Sequence, residues 1–301
     1  MDVGDLAACI AYLANKGNTS RELSGAITTL ASRAPLARRV SGQGLMSLAV
    51  AGTKTELISP VLGCVAEAAA ATLGSFSTAD VTRLLLAVAK AKGQPLAKES
   101  KERLFKQAAE VLRPQLPRLS TVEIIKVGLA SGGAAGPGEL LETVALEAEK
   151  RLADVPPAQL LLLTQALTPL GGACGSMQRI VEHWVELLEG DPALRQEPGG
   201  AAVLPAEQLV KLTQILASVV SDLNKVSQPR CLHVFGTLLL RQVEQLSAQG
   251  KETISKLFSR SSGFGLWRER EALLRFLPKT KVQSPSPARA PAAPAGGRAE
   301  R

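Results

Sequence analysis

The chain has few of the residues from which active sites and metal sites are built. Its 301 residues include only two histidines, His183 and His233, and no pattern of the type G-x-S-x-G, H-E-x-x-H or P-loop occurs. We therefore expect no enzyme activity, no cofactor, no metal ion and no small-molecule substrate. The four cysteines show no C-x-x-C spacing, so we expect small buried side chains in a reducing compartment at Cys9, Cys64, Cys174 and Cys231.

Aromatic residues are also scarce, at 3% of the chain, and they do not recur at one spacing. Stacking of bases on aromatic rings, which stabilises many complexes with single-stranded RNA, therefore has little support. Trp184 is expected in the core of a helix. Trp267 lies near Arg268 and Arg270 and is the better stacking candidate.

Long apolar runs are missing as well. The best run, LLLLTQALTPL from Leu160, contains Thr, Gln and Pro, and a membrane-spanning helix needs about 20 residues, so we expect no membrane span. The first 17 residues have neither the basic start of a signal peptide nor the composition of a transit peptide. These features predict a cytoplasmic or nuclear protein, or a chain that has lost a leader.

Alanine and leucine dominate what is present, and 46% of the residues are hydrophobic. Both are favoured helix formers, and no long alternating run of β-branched and aromatic residues occurs. The composition therefore predicts an all-α fold.

The stretch FSTADVTRLLLAVAKAKG, residues 76–93, carries the signals of one complete helix. Ser77 is a suitable N-cap residue, and Asp80 three residues later makes the pattern resemble a capping box. Gly93 supplies a stop signal. Between these signals, apolar residues recur at i, i+3, i+4 and i+7, which predicts that one face of the helix lies in a core. These residues are Val81, Leu84, Leu85 and Val88.

The same pattern recurs when Asp80 is taken as a reference position. Equivalent positions are 5, 44, 80, 123, 159, 208 and 253, with separations of 39, 36, 43, 36, 49 and 45 residues. Spacing near 40 is typical of helical repeats. Second helices are predicted within 61–73, 99–116, 138–152, 177–190 and 229–246. We predict an α-solenoid of about seven two-helix hairpins over residues 1–278, and a disordered basic Pro/Ala-rich tail over residues 279–301.

The stretch FSTADVTRLLLAVAKAKG resembles the repeat of the octotricopeptide and heptatricopeptide families, which are related to the FAST-kinase-like organellar proteins. A degraded version, ETISKLFSRSSGFGLWRERE, begins at Glu252. The resemblance implies a protein that binds single-stranded RNA in mitochondria or plastids and acts in RNA processing, stability, translation or ribosome assembly. It also implies a binding member without a catalytic domain of its own.

The net charge of +8 favours an anionic partner, either nucleic acid or an acidic membrane surface. Three residues after the reference position, four of the seven units hold a basic residue, and equivalent positions of stacked hairpins form one row. We expect this row to contact RNA phosphates through Arg83, Lys126, Lys211 and Lys256, with support from Lys90 and Lys92. A second basic concentration lies within residues 83–118, where nine basic residues stand against three acidic ones.

Three alternatives stay open. Asp80 with Arg83 and Glu123 with Lys126 are i, i+3 pairs, which stabilise an isolated helix by a few tenths of a kcal/mol without any ligand. Stacked hairpins of the HEAT or armadillo type also serve as protein–protein interaction scaffolds, because a fold does not determine its ligand. A subunit of a ribonucleoprotein would contact both RNA and protein.

Overall fold

The computed structural model describes residues 2–17, 20–32, 36, 39–91, 97–132, 138–195, 202–223, 227–259, 273 and 275–276. Over these residues the chain is helical and contains no β-strand, which confirms the predicted all-α class. The predicted tail, residues 279–301, lies outside the described residues.

Seven helices correspond to the seven predicted units, and we call them the A helices. They are α1 (Val3–Asn15), α3 (Gly42–Gly52), α5 (Thr78–Ala89), α7 (Thr121–Gly132), α9 (Pro157–Leu167), α12 (Ala206–Ala217) and α14 (Ala248–Ser259). Between them lie the B helices, α2 (Arg21–Ser32), α4 (Ser59–Thr72), α6 (Lys98–Leu112), α8 (Glu139–Glu149), α10 (Gly175–Glu189) and α13 (Ser227–Gln242), and one short helix, α11 (Pro192–Arg195). The helix α2 was not predicted, whereas the other five B helices were.

The helices pack in two adjoining layers. Each A helix contacts the next A helix along the chain, and each B helix contacts the next B helix. Every A helix except α14 also contacts the B helix that follows it. Hairpins therefore stack on their sequence neighbours, which is the contact pattern of helical-repeat proteins.

Each A helix begins at an N-cap residue. We number A-helix positions from this residue, which is position 0, so that position +7 is seven residues after the cap. The side chains of Asp2, Ser41, Ser77, Ser120 and Ser247 each accept a hydrogen bond from a backbone N–H of the first turn. Pro156 and Pro205 occupy the same place before α9 and α12. The residue before the cap is apolar and at least half-buried in six units, namely Val40, Phe76, Leu119, Val155, Leu204 and Leu246. This pair of signals marks the start of these six A helices.

The seventh unit begins three residues earlier than predicted. Its N-cap is Ser247, whose hydroxyl accepts a hydrogen bond from the Gly250 N–H, so the reference position is Gly250 and not Thr253. The prediction failed because apolar faces repeat at every turn of a helix, so a helix shifted by three residues presents nearly the same face. The N-cap separations become 39, 36, 43, 36, 49 and 42 residues.

Position +7 of the A helices forms the centre of the core. At this position six A helices carry aliphatic residues that are no more than 1% exposed, namely Leu48, Leu84, Val127, Leu163, Leu212 and Ile254. In α1 the same position is Cys9, which is exposed.

The prediction of four buried cysteines is correct only for Cys231. Burial raises the pKa of the Cys231 thiol to about 12, so this side chain is inert. Cys64 and Cys174 are half-buried, and Cys9 is exposed because α1 lies at the end of the A layer.

One helical segment is longer and more apolar than the sequence indicated. Two 3₁₀ turns extend α4 into a segment over Glu56–Ser75, whose 20 residues are long and apolar enough to span a membrane by composition. Half of the segment is buried inside the structure, where α4 packs against α2, α3 and α6. This is the environment of a core helix in a stack of hairpins.

A half-buried arginine, Arg151, connects the end of α8 to the turn between α6 and α7. The guanidinium of Arg151 donates hydrogen bonds to the Glu147 carboxylate at 2.7 Å and to the carbonyl oxygens of Leu119 and Pro117 at 2.5 and 2.8 Å. Burial raises the pKa of the Glu147 carboxyl, but hydrogen bonds from Lys150 and Arg151 outweigh burial and lower it. The turn before α7 is thereby attached to the end of α8.

The variant Arg151→Met is expected to lower the free energy of unfolding by about 2 kcal/mol, because it leaves a buried carboxylate and two carbonyls without this donor. The lowered pKa of Glu147 stabilises the fold above the usual glutamate pKa of about 4.3, and this contribution is lost as the pH falls through the lowered value. Urea denaturation at pH 7 and pH 3 should show a larger difference between wild type and variant at pH 7. The control Lys150→Met removes a side chain that is 68% exposed and should cost less than half as much.

The variant Ser247→Ala is expected to cost about 1 kcal/mol, because it removes the hydroxyl that caps α14. Hydrogen exchange at the Gly250 amide, which donates to that hydroxyl, should accelerate. The matched control is Thr253→Ala, inside the same helix. A larger loss from Thr253→Ala would contradict the N-cap assignment.

Candidate nucleic-acid interface

A groove of about 280 Å³ lies between α5 and α7. It is lined by Thr78, Ala79, Thr82, Arg83 and Leu86 from α5, and by Leu119, Glu123 and Lys126 from α7 and the residue before its cap. Two of the predicted site residues, Arg83 and Lys126, therefore lie beside the same groove although they are 43 positions apart in the chain.

The repeat pattern accounts for this geometry. Arg83 and Lys126 both occupy position +6, next to the buried position +7, so each side chain leaves the core at the exposed edge of its helix. Leu86 and Leu119 supply an apolar wall, and the Thr82 hydroxyl donates to the Thr78 carbonyl at 2.9 Å. The groove thus combines two cations with an apolar surface.

The two cations are not paired with the acids three residues before them. Asp80 accepts a hydrogen bond from the Ser77 hydroxyl at 2.6 Å, and Glu123 accepts from the Ser120 hydroxyl and N–H at 2.7 and 2.8 Å. Among the described residues, neither Arg83 nor Lys126 forms an ion pair within 4.0 Å. Neither i, i+3 pair thus closes to an ion pair within 4.0 Å, and both cations keep their hydrogen-bond donors available to a ligand.

Hydrogen bonds from Ser120 are the main reason that the pKa of Glu123 is lowered, and the charge of Lys126 adds to this effect. Glu123 is consequently ionised at neutral pH and lies on the groove with the cations. Its negative charge reduces the local positive potential, so the groove attracts anions less strongly than the two cations would alone.

The row of position +6 continues along the A layer, with one interruption. Lys211 in α12 is exposed and has no ion pair within the described part of the chain. In α9 the position is Leu162, which is 40% exposed. Lys90, the C-cap residue directly after α5, is exposed and lies seven residues after Arg83. Lys92 lies outside the described residues.

Lys256 does not belong to the row. Because α14 starts at Ala248, Lys256 occupies position +9, one turn beyond the row, and its ammonium is paired with Glu252 at 2.6 Å. Thr253 takes position +6 in this helix.

The basic segment 83–118 does not form one patch. Arg83 and Lys90 belong to the A layer, whereas Arg103 and Lys106 are exposed on α6 in the B layer. Arg113, the last of the α6 region, pairs with Glu139. The sequence predicted two separate helices here, but it did not show that they lie in different layers, because periodicity does not define how neighbouring helices pack.

Two exposed apolar residues on the A layer were missed by the sequence reasoning. Val122, at position +2 of α7, is 44% exposed, and Leu162 in α9 is 40% exposed. The signal was present: once the N-caps are aligned, position +2 is Gly, Gln, Ala, Val, Ala, Glu and Gln, and Val122 is the one bulky apolar residue in that set.

The geometry of the described residues gives no support to base stacking on Trp184 or to a metal site. Trp184 is fully buried and its indole N–H donates to the Thr164 hydroxyl at 2.8 Å, as expected of a core residue. Trp267 lies outside the described residues. Within the described residues, no three His, Cys, Asp or Glu side chains come close enough together to hold a metal ion.

No protein-family model matches the chain, and no curated protein matches it at a significant level. The arguments for function therefore rest on the residues and geometry described above.

Proposed function

We propose that the chain is an α-solenoid of about seven hairpins that binds single-stranded RNA without catalysing a reaction. The observation that carries the proposal is the groove between α5 and α7, where Arg83 and Lys126 lie together and unpaired with any described residue. Lys211 extends the cationic row two A helices further on, and Lys90 extends it along α5.

The row would bind RNA through its phosphates. Each Lys or Arg that neutralises a phosphate releases condensed counterions, and this release supplies most of the sequence-independent affinity. The apolar wall of Leu86 and Leu119 offers a surface for a sugar or base. Since no aromatic ring lines the groove, sequence preference would come from polar contacts and shape rather than from stacking.

The proposed setting is an organelle, either the mitochondrion or the plastid, and it rests on the resemblance of FSTADVTRLLLAVAKAKG to organellar RNA-binding repeats. RNA processing, stability, translation and ribosome assembly are all compatible with a binding protein of this kind. A chain that joins a ribonucleoprotein would use the A layer for RNA and leave the B layer to protein neighbours.

The test is the binding of a labelled single-stranded RNA pool across a salt series. For the variant Arg83→Gln/Lys126→Gln/Lys211→Gln, we expect the log–log salt slope to become shallower by about 2, at about 0.7 per lost phosphate contact. The matched control is Arg103→Gln/Lys106→Gln, which removes two exposed cations from the B layer and should leave the slope unchanged. Absence of binding by wild type at low salt, or equal effects of both variants per charge, would overturn the proposal.

A second candidate function is a protein-interaction scaffold, and the exposed Val122 and Leu162 favour it. Aliphatic side chains on the surface of a repeat protein offer a protein partner an apolar contact, but give RNA no stacking plane.

The charge-neutral variant Val122→Ser/Leu162→Ser separates the two functions. For an RNA-binding row, RNA affinity and its salt slope should match those of wild type within about twofold, because no charge is removed. For a scaffold, affinity purification should lose a protein partner with this variant and retain it with the triple charge variant. Loss of RNA binding in the neutral variant, with unchanged helicity, would contradict a phosphate-based row.

A further inference from the structure

One flank of α1 exposes two positions, +7 and +10, that the later A helices bury or half-bury. Position +10 is alanine in four of these helices, and each of those alanines is 5% exposed or less, namely Ala51, Ala87, Ala130 and Ala166. In α9 this alanine, Ala166, lies beside Gly128 and Gly132 of the preceding A helix, α7. In α1 the same positions are Cys9, which is exposed, and Tyr12, which is 63% exposed.

This flank carries a regular stripe of four residues. Asp5, Cys9, Tyr12 and Lys16 follow one another at i, i+4, i+7 and i+11, so they lie along one side of the helix. Neither charged end is used in an ion pair with a described residue, and the Lys16 ammonium lies 5.8 Å from the centre of the Tyr12 ring. The stripe is thus negative at its start, apolar in its middle and positive at its end.

We propose that this stripe binds the same stripe of a second copy of the chain, as an antiparallel α1–α1 contact about a twofold axis. In such a pair Asp5 of one copy faces Lys16 of the other, and Cys9 faces Tyr12. Both pairings share one midpoint, between Ile10 and Ala11, so a single register satisfies all four contacts. Ala8 and Leu13, beside the stripe, share that midpoint as well.

The self-complementary charges identify the occupant. A twofold contact brings the same patch of both copies together, so it forms only where a patch complements itself under rotation. An unrelated helix would have to match an acid, two apolar residues and a base at these spacings, whereas a second copy supplies them automatically. The stripe includes none of the cations of the RNA row, so the dimer is independent of the proposed function.

The association should be weak. A contact made by one helix face on each copy falls at the small end of specific interfaces, where complexes are transient. Sedimentation equilibrium from about 5 to 500 µM should therefore show the apparent mass rising from 31.5 kDa toward twice that value.

Tyr12→Ser should weaken the association at least tenfold. The matched control is Leu146→Ser, which removes another large exposed apolar residue, 58% exposed on α8, and should leave the association unchanged. Asp5→Lys should also abolish it, and adding Lys16→Asp should restore it, because the exchanged charges face each other again. Circular dichroism verifies that each variant keeps the helicity of wild type.

Cross-linking tests the register. Wild type, with its natural Cys9, is mixed with a Cys9→Ser/Tyr12→Cys variant that carries an isotope label, and the mixture is treated with a short bismaleimide. Because the variant lacks the Tyr12 ring, the mixture is kept at least tenfold above the concentration at which wild type dimerises. We expect a covalent dimer in which Cys9 of the unlabelled chain is linked to the thiol introduced at position 12 of the labelled chain. A chain that is monomeric at every concentration, or a Leu146→Ser variant as impaired as Tyr12→Ser, would overturn the proposal.

Discussion

The burial of one aliphatic side chain at position +7 in six of the seven A helices, where these helices stack, is the interaction on which the rest of the structure depends. The A helices have 11 to 13 residues, a length at which an isolated helix is marginal in water. Full burial of a leucine or isoleucine contributes about 2 kcal/mol, and it occurs only when the neighbouring hairpin is in place. Each hairpin is therefore stabilised by its neighbours, and the two layers follow from repetition of this contact.

The position next to this contact has few packing constraints. Position +6 is exposed in five A helices and half-buried in two, and it holds Ala, Ser, Arg, Lys, Leu, Lys and Thr in successive units. Such variety at a constant place in the fold lets the surface change chemistry from unit to unit while the core stays the same. The cationic groove between α5 and α7 and the apolar Leu162 are two results of this freedom on one face.

Electrostatics on that face are balanced rather than strongly positive. The capping boxes place Asp80 and Glu123 one turn before Arg83 and Lys126, because an acid at this place stabilises the helix N-terminus. Both acids are hydrogen-bonded to their capping serines, Ser77 and Ser120, and neither closes to an ion pair within 4.0 Å with the cation three residues later. Their negative charges limit the positive potential that the cations create.

The sequence by itself determined the all-α class, the number of A helices and the start of six of them, since caps, prolines and 3.6-residue periodicity are local signals. Local signals also placed Arg83, Lys126 and Lys211 at one repeat position. Only the tertiary structure decided which exposed residues share a surface. It places Arg83 and Lys126, 43 residues apart in the chain, beside one groove, whereas Arg103 and Lys106 lie in the other layer. It also shows that Lys256 lies outside the row. The physical reason is that periodicity shows which residues share one helix face. It does not show at which residue the helix starts or which other helix lies beside that face, and both are set by the packing of one hairpin on the next.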